Sequence, residues 1–129
     1  MVASWLLDER PDPRAGRYRE AIGGRRILLA FQTVAELRYG ALHAGWGDLR
    51  RRALDRQLGA WTVVRSDDRT MTLYAELRHQ CVQAGHPLGA KVHDGDRWIA
   101  ATALRVAGAV VYDDRIFGNV PGVEVLTAS

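Results

Sequence analysis

Short apolar runs alternate with longer amphipathic runs along the chain. The compact apolar run Ile27–Phe31 predicts the first clear strand. Helical spacing of apolar residues follows at Val34–His43. A further helix, predicted from Asp48 to Leu58, is apolar on one face and rich in arginine on the other. This alternation predicts a parallel sheet flanked by helices, in the α/β class.

The second half of the chain continues the alternation. A strand is predicted at Trp61–Val64, followed by a helix that Asp67 or Asp68 caps and Gly85 ends. A loop then precedes the most apolar helix, which is predicted at Arg97–Val106. The remaining predicted elements are two helices before the first strand, at Val2–Leu7 and from Pro13 to Ile22, and two strands at Ala109–Tyr112 and Val123–Leu126.

Length and composition favour one small domain. Neither a repeat nor a linker divides the 129 residues, so we expect a single domain over residues 1–129. No apolar run approaches the ~20 residues that a membrane span needs. The first residues lack the basic start of a signal peptide, and we expect a cytoplasmic protein. The single cysteine, Cys81, excludes a disulfide framework, and its apolar helix face is typical of a core position.

Arginine supplies nearly all the positive charge. The chain has 18 lysine and arginine residues against 15 acidic ones, and Lys91 is the only lysine. The planar arginine fork suits phosphate contacts, which favours a nucleic-acid partner, although a GC-rich genome produces the same bias. Arg50 and Arg51 begin a run of arginines on the helix that starts at Asp48. A solvated helix face explains such a run more often than an RNA-binding stripe does.

Acidic residues lie where ligands bind in parallel sheets. Glu36 follows the first strand, Asp96 opens the apolar helix, and Asp113 and Asp114 follow the strand at Ala109–Tyr112. Ligands bind at the carboxyl ends of such strands, so these positions indicate a site for a hard divalent cation.

Each of these residues also has a structural explanation. Thr33 and Glu36 fit a capping box, Asp96 fits a helix N-cap or a partner of the helix dipole, and Asp113 and Asp114 fit a turn. The four histidines lack the spacing of a metal motif, and His93 fits a loop pair with the adjacent Asp94.

Several motifs carry a family resemblance. The run Asp96–Leu104 has the pattern D-x-x-I-A-A-T-A-L, and Val111–Phe117 follows a strand-end pattern of the form V-T-x-D-x-x-F. The segment Val120–Leu126 reads V-P-G-V-E-V-L, and Thr33–Leu37 carries a helix acid that is trailed by Gly40. In these motifs and in their order, the chain resembles a PIN-domain ribonuclease of the VapC toxin type.

The resemblance implies a function and a site. It implies an endoribonuclease that depends on Mg²⁺ or Mn²⁺, in which Glu36, Asp96 and Asp114 hold the metal and act in catalysis. It also implies an RNA substrate, a homodimer and a cognate VapB-type antitoxin that pushes a basic side chain into the acidic pocket. We expect Arg97, or Arg50 and Arg51, to grip the RNA backbone.

The chain departs from the family at its beginning. Met1–Leu7 resembles the helix that, in the family, follows a central first strand ending in the first metal-binding Asp. We expect that strand and its Asp to be missing, because the start codon was assigned too far downstream or because the gene is a degraded copy. Tyr112 also stands where the family has Thr or Ser. The alternatives are a catalytically inactive PIN module that binds antitoxin or RNA, and a PIN nuclease that acts on DNA or in RNA maturation.

Overall fold

The computed structural model describes residues 28–111, 117–120 and 122–126. Everything predicted for residues 1–27, and the site positions Tyr112, Asp113 and Asp114, lies outside the described residues. Within those ranges the elements are, in chain order, β1 (Leu28–Ala30), α1 (Phe31–His43), α2 (Asp48–Gly59), β2 (Thr62–Val64), α3 (Asp68–Ala84), two 3₁₀ turns (Pro87–Gly89 and Lys91–His93), α4 (Asp94–Arg105), β3 (Ala109–Val111) and β4 (Glu124–Leu126).

The described strands form two parallel pairs. Strand β1 pairs with β2, with Leu29 opposite Val63, and β3 pairs with β4, with Val110 opposite Val125. Helix α4 contacts both β1 and β3 and so covers both pairs. No described strand joins the two pairs. Parallel strands covered by helices confirm the α/β prediction. The expected absence of a central first strand concerns residues that the structure does not describe, and it stays a prediction.

Strand β1 divides the core into two clusters. Successive side chains of a strand point to opposite faces, so Leu29 and Ala30 enter different clusters. Leu29 packs with Leu54 and Leu58 of the α1–α2 hairpin. The larger cluster joins α3, α4, β3 and the segment at 117–120; its buried members are Ala30, Leu77, Cys81, Leu88, Ile99, Ala100, Ala103, Val110, Phe117 and Val120.

Helix α3 begins and ends where the sequence predicts. Asp67 is the N-cap, and its carboxylate accepts hydrogen bonds of 2.8 Å from both the backbone N–H and the hydroxyl of Thr70. Gly85 ends the helix with φ +68°, a left-handed conformation that glycine adopts without a steric penalty. Cys81 is fully buried in this helix, and that burial raises the pKa of its thiol. Cys81 is therefore a core residue, as predicted.

Two predicted caps are wrong. Strand β1 runs directly into α1, whose N-cap is Ala30, so Thr33 lies inside the helix and forms no capping box with Glu36. Helix α4 begins at Asp94 with His93 as its N-cap, which places Asp96 at the third helical position. Both helices start earlier than predicted. Neither Glu36 nor Asp96 is therefore a capping residue, while Asp96 stays in the first turn of α4, where the helix dipole stabilises a carboxylate.

Candidate functional site

Glu36 lies on α1 and reaches the first turn of α4. Its side chain is exposed, and its Oε1 atom accepts a 3.3 Å hydrogen bond from Nε2 of Gln32, one turn earlier. A Cβ atom built on Gly95 would lie only 2.8 Å from Oε1 of Glu36 and 2.9 Å from Nε2 of Gln32. The carboxylate of Glu36 therefore packs against the backbone directly before Asp96. Glu36 thus contacts the helical turn that carries Asp96, 60 positions later in the chain.

Asp96 is held by a histidine. Its Oδ2 atom lies 3.0 Å from Nδ1 of His93, and the two side chains are 23% and 31% exposed. The positive end of the helix dipole favours carboxylates in this first turn. The sequence prediction that pairs His93 with Asp94 in a loop is wrong, because α4 begins at Asp94 and brings His93 and Asp96 together at i,i+3.

Arg97 is buried, contrary to an exposed role on the RNA backbone. Its side chain is 1% exposed, and Nη1 donates to the backbone carbonyls of Leu88, at 2.9 Å, and Ala90. Nη2 donates to Oδ1 of Asp94 at 3.2 Å and to the hydroxyl of Tyr74 at 3.3 Å. The helix turns this residue inward, so its guanidinium organises the segment before α4. In this arrangement it is not available to a phosphate.

Three aromatic side chains fix the helices around the acidic turn. The ring of Trp98 stacks on Tyr74 of α3, with centroids 4.0 Å apart, and meets Phe31 of α1 edge-on at 5.7 Å. The Tyr74 hydroxyl also contacts Asp94. Helices α1 and α4, which carry Glu36 and Asp96, are thus packed directly against each other, and α3 supports α4 from a second side. The sequence did not identify three residues that contact the candidate site: Tyr74, His93 and Gly95. A signal was present only for His93, which lies close to Asp94 and Asp96 in the chain.

The arginines of α2 line a separate surface. Arg50 is exposed and lies over the ring of Trp46, 3.9 Å from its centroid, and Arg51 forms an ion pair with Asp48. A cleft of about 410 Å³ between α1 and α2 is lined by Arg38, Ala41, Leu42, Asp48, Arg51, Arg52, Leu54 and Asp55. Unlike the buried Arg97, Arg50 is exposed to solvent and Arg51 is half-buried.

The third predicted acid, Asp114, lies outside the described residues. The geometry of the candidate site therefore concerns Glu36 and Asp96. Within the described ranges, no group of three or more histidine, cysteine or acidic side chains is placed to share a metal ion. The described portion therefore contributes two carboxylates to the candidate site.

Comparison with known proteins decides the family. The PIN-domain family model matches residues 1–123, nearly the whole chain. The chain belongs to the PIN-domain family. This PIN domain is 31% identical over 105 residues to Ribonuclease VapC5 of Mycobacterium tuberculosis, covering 80% of the chain and 75% of that relative. The resemblance to VapC-type PIN domains, drawn from the motifs, is confirmed.

Solved structures support the same fold for this PIN domain. It resembles the crystal structure of VapBC2 from Rickettsia felis bound to a promoter DNA fragment, with a TM-score of 0.76, 20% identity, and coverage of 95% of this chain and 90% of that one. It also resembles FitAcB from Neisseria gonorrhoeae, with a TM-score of 0.73, 23% identity, and coverage of 97% and 91%. At these identities the likeness establishes the fold. No helix in the described part of the PIN domain is long and apolar enough to cross a membrane.

Proposed function

We propose that this PIN domain is a metal-dependent endoribonuclease and the toxin of a VapBC-type pair. The observation that carries the proposal is the meeting of Glu36 with the first turn of α4 at Gly95, beside Asp96. Neither acid caps its helix, and both come from the motifs that resemble the family. The name of the relative, Ribonuclease VapC5, supports RNA as the substrate.

The chemistry of these residues fits a hard divalent cation. Mg²⁺ and Mn²⁺ prefer carboxylate oxygens, and each acid has one oxygen engaged by a neighbour, Oε1 of Glu36 and Oδ2 of Asp96, which leaves the other for a ligand. Glu36, Asp96 and Asp114 would hold the ion. When bound, it would supply Lewis acidity at the scissile phosphodiester.

Other residues of the protein would position the carboxylates and bind the RNA. The packing of Trp98 on Phe31 and Tyr74 would fix the relative positions of the helices that carry the two carboxylates. Exposed Arg50 and half-buried Arg51 on α2 would bind RNA phosphates and orient the strand, because arginine forms two-pronged contacts with phosphate oxygens. Arg97 would contribute only indirectly, by holding the segment before α4 through the Leu88 and Ala90 carbonyls.

The proposed partners are a VapB-type antitoxin and a second copy of the chain. The solved VapBC and FitAcB complexes support the antitoxin, whose basic side chain would enter the acidic site and block it. Light scattering of the purified chain, alone and with a candidate VapB-type antitoxin, measures both associations. A chain that remains monomeric at micromolar concentration would contradict the homodimer.

RNA cleavage with matched carboxylate-to-amide variants tests the catalytic proposal. We expect the purified chain to cleave RNA in Mg²⁺ and to lose activity in EDTA. Glu36→Gln, Asp96→Asn and Asp114→Asn should each lower the cleavage rate at least ~100-fold, because each removes a charged ligand. Glu76→Gln, which neutralises an exposed acid on α3, is the matched control and should keep the wild-type rate.

The outcomes separate the proposal from its alternatives. Cleavage that continues in EDTA, or that survives Asp96→Asn in a folded protein, would refute metal-dependent catalysis by these acids. A folded wild-type chain that binds antitoxin or RNA without cutting RNA would identify the inactive PIN module. Cleavage of DNA in preference to RNA would contradict the proposed substrate.

A further inference from the structure

The His93–Asp96 contact has a defined direction of proton donation. An ionised carboxylate only accepts hydrogen bonds, so a hydrogen bond across the 3.0 Å between Oδ2 of Asp96 and Nδ1 of His93 requires the tautomer with the proton on Nδ1. The imidazole therefore occupies one oxygen of Asp96 and leaves Oδ1 for another ligand. The His93 side chain is 31% exposed and the Asp96 side chain 23%, so the contact is partly shielded from water.

The turn that carries the His93 ring is anchored to the protein interior, and the ring itself does not cap the helix. His93 occupies the N-cap position of α4, yet its side chain makes no capping hydrogen bond. Its backbone N–H donates to the Ala90 carbonyl at 3.0 Å, and the buried guanidinium of Arg97 donates to that same carbonyl. The ring thus projects from a turn that is anchored to a buried cation. Such anchoring restricts where the imidazole can lie.

The other described histidines have different surroundings. Nδ1 of His86 accepts from the Leu88 N–H at 3.0 Å, and its Nε2 lies 2.7 Å from the carbonyl oxygen of Gly118, so it ties two backbone segments together. His43 stacks on Tyr39, and His79 is exposed on α3. Among the histidines in the described ranges, His93 is the one whose ring contacts a proposed ligand residue.

We propose that His93 is a positioning residue that orients the Asp96 carboxylate for its ligand through the Nδ1–H···Oδ2 hydrogen bond. The inference rests on the proposed function of Asp96 as a metal ligand. Groups that hold a metal ligand in place are worth 10- to 100-fold in metal affinity or activity, which sets the size of the expected effect.

Two substitutions at His93 separate hydrogen bonding from packing. His93→Leu removes the donor and keeps much of the volume, whereas His93→Asn places an amide N–H close to the position of Nδ1. The control is His79→Leu, at the exposed histidine of α3. Calorimetric titration with Mg²⁺ alone gives the dissociation constant, RNA cleavage against Mg²⁺ concentration gives the metal requirement, and thermal unfolding in EDTA reports on the fold.

We expect His93→Leu to weaken Mg²⁺ binding about 10- to 100-fold and to raise the Mg²⁺ requirement for cleavage by the same factor. His93→Asn should recover most of the affinity, and His79→Leu should match wild type. Nitrogen NMR of the metal-free wild-type chain should find the His93 proton on Nδ1. This last measurement depends on neither the metal nor a variant that folds.

Four results would overturn the proposal. Two concern the variants: an unchanged Mg²⁺ affinity in folded His93→Leu, or an equal loss of Mg²⁺ affinity in the Leu and Asn variants. The other two concern the wild-type chain: an unprotonated Nδ1 in the neutral His93 ring, or no binding of Mg²⁺ at all. The last of these refutes the proposed function as well. A wild-type chain that binds Mg²⁺ but cuts no RNA refutes the nuclease alone, and the metal titration then decides the role of His93.

Discussion

At the scale of single residues, Gly95 decides whether Glu36 can reach α4. Its missing side chain leaves room for the Glu36 carboxylate and the Gln32 amide, both of which are tips of flexible side chains. Gly89 has equally little space, but there a Cβ would lie 2.9 Å from the backbone nitrogen of Val82, which cannot swing away. A side chain at Gly95 would therefore disturb the candidate site, whereas a side chain at Gly89 would disturb the fold.

We predict opposite outcomes for alanine at these glycines. Gly95→Ala should leave the free energy of unfolding unchanged or raise it by up to about 1 kcal/mol, because alanine favours helix and Glu36 can rotate away. RNA cleavage should fall, because the carboxylate moves. Gly89→Ala should lower stability by about 1–3 kcal/mol through overpacking against α3.

Urea unfolding and cleavage assays on both variants check this prediction. Gly95→Ala with full activity would mean that the position of Glu36 beside α4 has no role in cleavage. Gly89→Ala with wild-type stability would contradict the close approach of the 3₁₀ turn to α3.

At the scale of elements, the start of α3 depends on a charged cap. Hydrogen bonds from the Thr70 backbone N–H and hydroxyl, together with Arg105 at 3.0 Å, lower the pKa of Asp67. A carboxyl whose pKa is lower when folded stabilises the protein above its unfolded pKa of about 4. That contribution is lost as the pH falls through the lower, folded pKa.

We therefore predict that Asp67→Asn changes how stability depends on pH. Asparagine is also a good N-cap, so the variant loses the charge and the interaction with Arg105 but keeps a capping oxygen. The difference in free energy of unfolding between wild type and variant should be largest at neutral pH and should shrink below pH 4. Urea unfolding at pH 7, 5 and 3 measures it, with Asp68→Asn as the neighbouring control. A difference that grows with acidity would contradict the assignment.

At the scale of the whole molecule, a buried cation joins three parts of the fold. Arg97 of α4 binds the carbonyls of the segment between α3 and α4 and lies 5.5 Å from the Tyr74 ring centroid. This junction sits next to the larger core cluster, which includes Leu88 and Ile99. Losing the guanidinium would loosen the turn that carries His93 as well as the packing of α3 on α4.

We predict that the main effect of Arg97→Met is a lower free energy of unfolding, and not a loss of RNA affinity in a protein of wild-type stability. The buried Leu88 carbonyl would lose its donor from Arg97, at about 1–3 kcal/mol, and other contacts would add to this. Arg78→Met, at an exposed arginine of α3, should change stability by no more than about 0.5 kcal/mol. Chemical denaturation measures both variants. Wild-type stability of Arg97→Met with weakened RNA binding would restore the phosphate-gripping role.

Sequence by itself determined the order and type of the described elements. Apolar spacing located α1 to α4 and the four short strands to within a few residues, because burial of one face requires that spacing. Local signals such as Asp67 and Gly85 marked the ends of α3 correctly, since each acts within one helical turn. The motifs indicated the PIN-domain family and named Glu36 and Asp96 as candidates.

Tertiary structure decided which of those residues meet and which are buried. Nothing local distinguishes Arg97 from an exposed arginine; its burial follows from the carbonyls of a turn that packs against it. The contact of Glu36 with Gly95 and the role of Tyr74 depend on residues dozens of positions apart, whose approach is set by helix packing. The His93–Asp96 hydrogen bond is local, yet it exists only because α4 begins at Asp94 and turns both side chains to the same face.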